Sequence, residues 1–438
     1  MKRVAVIGAG ISGLAAAWQL GETGSGFQVT LFEGGATLGG HAHTVDVTLP
    51  DAAGRPVTHG VDTGFLVFNP RTYPNLVQLF DTLQVPVAAS DMSFSVQSVA
   101  DGLEWSGSNL ASVFAQRRNL LRPAFLGMLA ELVRFNRLTT ELAQRGAEAE
   151  LAQAIGDFLD EHRFGEAFRR WYFLPMIGCI WSCPTEQMLR FPIGTLIRFC
   201  HNHGLLQVND RPQWHTVRGG SREYVRRMRP RLGQVRLDTP VQAVRRIAGD
   251  GVQVYTAQGA ERYDEVVFAC HSDQALRLLG SDASPAEREV LGAIAYHPNV
   301  AVLHTDTSML PRRPRAWAAW NYEHGGSDTQ ESSAVCLHYL INRLQPLPFQ
   351  QPVVVSLNPV RPPRADLVLG RYDYAHPVFD LGAIAAQRRV PTLQGQRHTW
   401  FCGAWTGYGF HEDGLKSGLA VADGLRVAVA ERAERLAA

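Results

Sequence analysis

Lysine is nearly absent from this chain. Of 42 basic residues among 438, only Lys2 and Lys416 are lysine, and the rest are arginine. The bias reflects genome composition more than function, but it leaves residues 3–415 without a lysine amine. Long apolar runs are also missing. No stretch reaches about 18 apolar residues, so no transmembrane helix is expected. Lys2 and Arg3 before an apolar stretch imitate a signal peptide, but three glycines interrupt that stretch and no clean cleavage site follows. The six cysteines form no C-x-x-C pair and no zinc-ligand spacing, so reduced thiols in a cytoplasmic protein, and no metal, are expected. Cys179 and Cys183 read as neighbours on one helical turn rather than a redox couple. A net charge of +1 argues against bulk nucleic-acid binding.

The residues present are those of a globular protein, 45% hydrophobic and 19% charged, and 438 residues are enough for two or three domains. The most informative stretch is the first. An apolar run, Val4 to Ile7, ends in Gly8-Ala9-Gly10-Ile11-Ser12-Gly13, and small residues follow at helical spacing. This reads as strand, tight turn and helix. Gly8 permits the turn, Gly10 lets a phosphate approach the backbone, and Gly13 lets helix and strand pack closely. The helix N-terminus offers free N–H groups and partial positive charge to a pyrophosphate. A second apolar strand, Phe27 to Phe32, ends in Glu33, twenty residues after Gly13, where an acid hydrogen-bonds an adenosine ribose.

A second glycine pair, Gly39-Gly40, leads into His41 and an expected hairpin around Asp51 to Gly54. Val61 to Phe68 reads as a buried strand carrying Gly64, a sign of close approach by a ligand or backbone. Residues 109–170 are expected to be mostly helical, with leucine, phenylalanine and arginine mixed around 114–122 and 132–138. Such basic amphipathic stretches can lie on an anionic membrane, although on the pattern alone a helix packed on the core with a solvated arginine face is the better reading. Residues 171–215 concentrate aromatics and histidines, which suits a pocket for an apolar substrate and equally suits a core. His201 and His203 have no acid or cysteine partner at ligand spacing, so they are read as structural. Gly219-Gly220-Ser221 begins a second glycine region that feeds a β-meander ending at Ala269-Cys270. Further strands are expected at Val300 to His304, Ala334 to Ile341 and Val353 to Leu357. A strand at Thr399 to Gly403 precedes a long helix that starts near Asp413-Gly414.

The order of these pieces resembles the flavin amine oxidase and phytoene desaturase superfamily from end to end. Phe173-Leu174-Pro175-Met176, Ile180-Trp181-Ser182, Asn202-His203-Gly204-Leu205-Leu206, Arg211-Pro212-Gln213-Trp214, Asn342-Arg343-Leu344-Gln345 and Gly409-Phe410-His411-Glu412-Asp413-Gly414 look like one bacterial branch of it. Its members are often encoded beside cyclopropane-fatty-acid-synthase-like methyltransferases, and some act on acyl chains in methyl-branched and furan fatty acid synthesis. The resemblance implies an α/β fold: a Rossmann-type FAD-binding domain of the glutathione-reductase-like, amine oxidase type, with a mixed α+β substrate domain and a helical insertion. The FAD-binding domain would comprise residues 1–68, 216–290 and 391–438. The substrate domain would comprise 69–108, 171–215 and 291–390, and the helical, membrane-facing subdomain 109–170.

The resemblance also implies the cofactor contacts. Glu33 and Gly34 would meet the adenosine ribose, and Val241 the adenine. Gly8, Gly10, Ile11, Ser12, Gly13, Gly40 and His41 would hold the pyrophosphate. Thr44, Asp62, Thr63, Gly64, Phe65, Ala269, Gly403, Ala404, Gly414 and Leu415 complete the expected set, with the Leu415 amide facing the flavin C2 carbonyl. Superfamily members often carry Arg where this chain has His41, and Asp or Glu where it has Ala404. Many amine oxidases also place a lysine by flavin N5 through a water, and no lysine lies between Lys2 and Lys416, which disfavours that chemistry.

The reading that follows is an FAD-dependent desaturase of a fatty acyl chain, with a methylated or unsaturated acyl chain of a phospholipid as substrate and hydride transfer to flavin N5. His411 is the first candidate base and Glu412 the second; Tyr339 and Asn342 are candidate substrate-positioning groups. Peripheral contact with the inner membrane face and a lipid methyltransferase partner belong to the same expectation. The rivals are an FAD amine or porphyrinogen-type oxidase and a non-catalytic flavoprotein partner of the methyltransferase.

Overall fold

The computed structural model describes residues 1–147, 151, 153–181, 185–206, 211–324 and 335–437. The Ser182-Cys183 end of the Cys179 motif and the Ala334 start of one expected strand lie outside the described residues. Strand β1 (Lys2–Ile7) buries its last four residues, and β2 (Phe27–Phe32) buries nearly all of its own. Helix α1 (Ile11–Leu20) joins them and is made mostly of small residues. That composition has a packing cause. A Cβ on Gly418 of the C-terminal helix His411–Ala437 would stand 2.2 Å from the Ser12 carbonyl, so only small residues allow the two helices to cross here.

The chain continues through a hairpin, β3 (Thr44–Pro50) and β4 (Pro56–Asp62). The strand expected to run from Val61 to Phe68 stops at Asp62. Beyond it the backbone bends around His41. The Phe65 amide donates to the His41 carbonyl at 2.7 Å, and a Cβ on Gly64 would meet that same oxygen at 2.2 Å. Gly64 therefore marks a close backbone approach, as its position suggested, but in a loop. Next come α2 (Pro74–Leu83), β5 (Val87–Ser90), β6 (Phe94–Ser98) and β7 (Leu103–Ser106).

Residues 110–202 contain helices and no named strand among those described. The longest is Pro123–Gln144, which buries Phe125, Met128, Phe135, Asn136 and Thr139 on one face. Strands β8 (Trp214–Val217), β9 (Gln234–Arg236), β10 (Ala243–Ile247), β11 (Gly251–Thr256), β12 (Gly259–Tyr263) and β13 (Glu265–Phe268) follow. The last group is β14 (Tyr296–His304), β15 (Trp320–His324), β16 (Cys336–Leu340), β17 (Val354–Leu357), β18 (Val368–Pro377) and β19 (Thr399–Phe401).

Two sheets organise the molecule. A parallel five-stranded sheet has the order β19-β13-β1-β2-β9, and the β10-β11-β12 meander forms its own small sheet. The second large sheet has seven strands, β18-β14-β17-β16-β15-β6-β7, with one parallel pair, β15 on β6. Strand alternation turns Trp320, Tyr339, Val355 and Leu357 of this sheet toward a central cavity. The intervening residues Asn321, Glu323, Cys336, His338 and Ser356 face the other way and are also buried. The segment after β14 covers that polar face: the Met309 carbonyl accepts from Gln97, and Asn321 bonds the Ala318 backbone. No helix among the described residues is long and apolar enough to cross a membrane.

Candidate active site and cofactor cradle

The ends of the parallel strands and the inner face of the seven-stranded sheet enclose a cavity of about 800 Å³. Its first part is built from glycines. Gly8 takes φ +102°, which a side chain rarely adopts, and a Cβ there would stand 2.8 Å from the Ala269 carbonyl. A Cβ on Gly13 would stand 1.9 Å from the Gly8 carbonyl, so α1 meets the strand end at backbone contact. Gly10 differs from both: a Cβ there meets nothing within 4 Å and would project into open space at the cavity wall. Gly39 donates its amide to the Ala9 carbonyl at 2.9 Å, which brings the second glycine pair against the first.

Glu33 lies at the end of β2, and its two carboxylate oxygens accept from the amides of Ala9 at 2.8 Å and Gly35 at 2.9 Å. Those bonds fix the carboxylate on the wall beside Gly34, Thr239, Pro240 and Val241. The neighbouring part carries histidines. His41 packs 5.0 Å from Tyr374 and 5.4 Å from His376, ring centre to ring centre, and its buried Nε2 has no partner. Burial and the neighbouring imidazoles His376, His271 and His411 hold His41 well below the usual imidazole range; burial brings His376 to about 4. His271 stacks on Tyr296 at 4.3 Å.

The third part is apolar. Phe65, Leu66, Val67, Met92, Phe94, Met176, Ile180, Trp181, Phe199, Leu205, Trp214, Trp320, Tyr339, Val355 and Leu357 line it. Among the described lining residues only Glu33 and Arg277 belong to the Asp, Glu, Lys and Arg class, and neither is in this group. Trp320 and Tyr339 meet edge to face at 4.9 Å.

The expected site residues separate cleanly on this wall. Gly8, Gly10, Ile11, Ser12, Glu33, Gly34, Gly40, His41, Thr63, Gly64, Phe65, Val241, Ala269, Gly403, Ala404, Tyr339 and His411 line the cavity. Gly13, Gly414 and Leu415 do not. The C-terminal helix begins at His411, ahead of the expected Asp413-Gly414 start, and a Cβ on Gly414 would meet Ile11 at 2.7 Å. Thr44 and Asp62 lie behind the wall. The Asp62 carboxylate accepts from Thr44 at 2.5 Å, from the Ser221 amide and hydroxyl, and from Gln345 at 2.8 Å. Burial pushes its carboxyl up to about 6 despite those bonds.

The candidate catalytic residues are divided in the same way. Asn342 does not line the cavity; its side chain bonds the carbonyl of Gln351 and the amide of Val353, bracing a loop. Glu412 also faces away. It accepts from both the backbone and side-chain nitrogens of Asn75 and from the Leu76 amide, so it satisfies the free N–H groups at the start of α2. Glu412→Ala should therefore cost about 2 kcal/mol of stability, read as a lower melting temperature, while flavin content stays at the wild-type level. His411 lines the cavity, stacks on Phe65 at 3.9 Å, and shares a 2.6 Å hydrogen bond between Nε2 and the Tyr224 hydroxyl. Burial brings its imidazole down to about 3, so it is neutral at pH 7.

Tyr374 and His376 were missed from the sequence, although a signal existed: Tyr372, Tyr374 and His376 alternate with Arg371, Asp373 and Ala375 along β18.

Residues 11–339 match the family of flavin containing amine oxidoreductases. The carotenoid phi-ring synthase of Streptomyces griseus is 30% identical over 329 residues; the match covers 71% of this chain and 59% of that relative. Cyclohexylamine oxidase from Brevibacterium oxydans IH-35A shares the fold at TM-score 0.67 and 16% identity, with 98% of this chain and 99% of that one covered. A CLA-producing fatty acid isomerase from P. acnes also has a TM-score of 0.67, at 17% identity, covering 96% of this chain and 97% of its own. The open space over Gly10, the fixed Glu33 carboxylate and the unpartnered Nε2 of His41 suit a dinucleotide of this kind. The chain belongs to the flavin-containing amine oxidoreductase family, and its cofactor is FAD.

Proposed function

We propose that this flavoprotein desaturates a fatty acyl chain, a methylated or unsaturated acyl chain of a phospholipid. The observation that carries the reading is the apolar third of the cavity, which among the described residues has no carboxylate to pair an ammonium and no lysine to position a water. The names of two similar proteins, a carotenoid ring synthase and a fatty acid isomerase, point to apolar carbon chains as well. Bound FAD would accept a hydride from one carbon and hold the resulting negative charge.

The chain's own residues supply the rest. The Trp214, Trp320, Tyr339 and Met176 walls exclude water and align an extended chain. Of the candidate bases, His411 is the one on the wall with a neutral imidazole, and this reading gives it the proton from the adjacent carbon. Its depressed basicity means that an imidazolium there needs negative charge nearby, and burial is the only cause shifting it. Phe65, stacked on His411, keeps that ring from turning. Leu110, Leu121 and Val133 are exposed on the helical region beside Arg117 and Arg118, a surface suited to resting on anionic lipid.

The test is anaerobic mixing of FAD-loaded protein with candidate phospholipids, amines and a porphyrinogen. Flavin bleaching by the acyl lipids alone, with loss of two hydrogens from the recovered lipid, is expected. Bleaching by an amine or porphyrinogen instead, or gain of oxygen by the lipid, would sink the reading. No bleaching together with tight methyltransferase binding would leave the non-catalytic role. His411→Ala should slow flavin reduction by about 10²–10⁴-fold with FAD content unchanged.

A further inference from the structure

We propose that Glu323, Cys336 and His338 form a zinc site on the face of the seven-stranded sheet turned away from the cavity. The site comes from strand register. Glu323 on β15 pairs directly with Cys336 on β16, and His338 follows two residues later on the same face. Carboxylate, thiol and imidazole thereby converge, with ligand atoms all within 4.8 Å of one another. The Cys336 Sγ lies 3.5 Å from His338 Nε2 and 3.8 Å from Glu323 Oε2, and His338 Nε2 lies 2.8 Å from Glu323 Oε2.

A tetrahedral zinc with bonds of about 2.0–2.3 Å sets its ligand atoms roughly 3.3–3.6 Å apart. Two of the three separations are close to that span. The third is a hydrogen bond that would open by about half an ångström as the ion takes the place of the shared proton, which moves to His338 Nδ1 and is donated to the Ser356 hydroxyl oxygen.

The surroundings act as an orienting shell. His338 presents Nε2 to the cluster because its Nδ1 is held by the Ser356 hydroxyl at 2.6 Å. Ser356 sits opposite His338 in the β16–β17 register and is bonded in turn by His304 Nε2 at 2.7 Å. His304 Nδ1 then accepts from the Asp306 amide, which fixes its ring. Metal-ligating histidines are held in this way by their second nitrogen.

Charge also favours an ion. Glu323, Cys336 and His338 are all buried. A divalent cation with one thiolate and one carboxylate is neutral overall, and the thiol proton leaves to solvent on binding. The thiolate, imidazole and carboxylate set selects zinc over magnesium or calcium, which take oxygen ligands. No local spacing signals this site, because Glu323 and Cys336 are thirteen residues apart and meet through the antiparallel pairing of β15 with β16.

The test uses the full-length, FAD-loaded protein grown with zinc and purified without chelator. Elemental analysis should find roughly one zinc per chain, and the zinc X-ray absorption edge should show one sulfur at about 2.3 Å. Cys336→Ser and His338→Gln should each lose at least about nine-tenths of the zinc while keeping FAD. Ser356→Ala should weaken zinc binding about 10- to 100-fold. Wild-type protein with less than about a tenth of an ion per chain overturns the proposal, as does an absorption edge with no sulfur neighbour. The absorption measurement needs no variant, so the result stands even if a substitution prevents folding.

Discussion

Gly10→Val should purify as a folded protein without flavin. The residue is extended, φ −68° and ψ 178°, which valine adopts without strain, and a Cβ there touches no protein atom within 4 Å. The added side chain would project into the cavity where the phosphates approach α1. The chain therefore loses little stability, under about 1 kcal/mol, while its affinity for FAD falls by a factor of about 10² or more. Gly13→Val is the contrasting case. Its Cβ would stand 1.9 Å from the Gly8 carbonyl and 3.0 Å from the Ala269 Cβ, so the helix must lift off the strand ends. That variant should lose both FAD and stability. The check is the flavin-to-protein absorbance ratio of each preparation, a melting curve, and FAD titration of the apoprotein. Stoichiometric FAD in Gly10→Val would place the phosphates elsewhere.

Acid should begin to destabilise the apoprotein near pH 6, above the carboxylate range. Burial lowers His203, His304 and His376 to about 4 and His411 to about 3, and His41, His43, His271 and His297 are also held low. These groups stay neutral in the fold and take a proton when it opens. The unfolded chain therefore binds more protons as pH falls through about 6.5, and stability is lost from there down toward the folded values. Asp62 and Asp413 work in the opposite sense. Burial raises both to about 6, so the folded state gains protons there that the unfolded state does not, which adds stability as pH falls. The eight histidines held low outnumber the two carboxylates held high, so the net is a loss of stability as pH falls, on the order of several kcal/mol per pH unit. A fold of ordinary stability, about 5–15 kcal/mol, would be exhausted within a few units. Melting temperatures between pH 8 and 5 at fixed ionic strength should be level at first and fall steeply below about 6. A level curve down to pH 5 would refute the histidine account. Saturating FAD should make the fall shallower, because a pyrophosphate beside His41 favours its proton.

The cradle was legible because its signals are local. The apolar run, the glycines and Glu33 lie within one strand-turn-helix-strand unit, where spacing dictates geometry. Apolar strands such as Val353 to Leu357 were legible for the same reason. Strand β18 was harder to see because it is an edge strand with partly exposed residues on both faces. Its apolar contrast is weak, although it delivers Tyr374 and His376 to the wall. The pairing of β15 with β6 joins residues more than two hundred positions apart, and no local pattern encodes such a partner. Glu412 and Asn342 were read as chemical groups because of their residue type and position. Both prove to satisfy buried backbone groups, a role that depends on which N–H or carbonyl the fold leaves unpaired. His411 lines the cavity, but its low basicity comes from burial that spacing does not reveal.

The contact of Ser12 on α1 with Gly418 on the last helix has a consequence for biosynthesis. The first twenty residues and the last thirty form two sides of one cradle. On the ribosome, the strand-turn-helix unit emerges well before the helix His411–Ala437 and waits for it with its small-residue face uncovered. Only when the last helix is released can that face close and the floor at Gly403 to His411 meet the glycine turn. Flavin capture is thus delayed until the helix His411–Ala437 has been made, and a chain stalled or cut before His411 would never hold the cofactor.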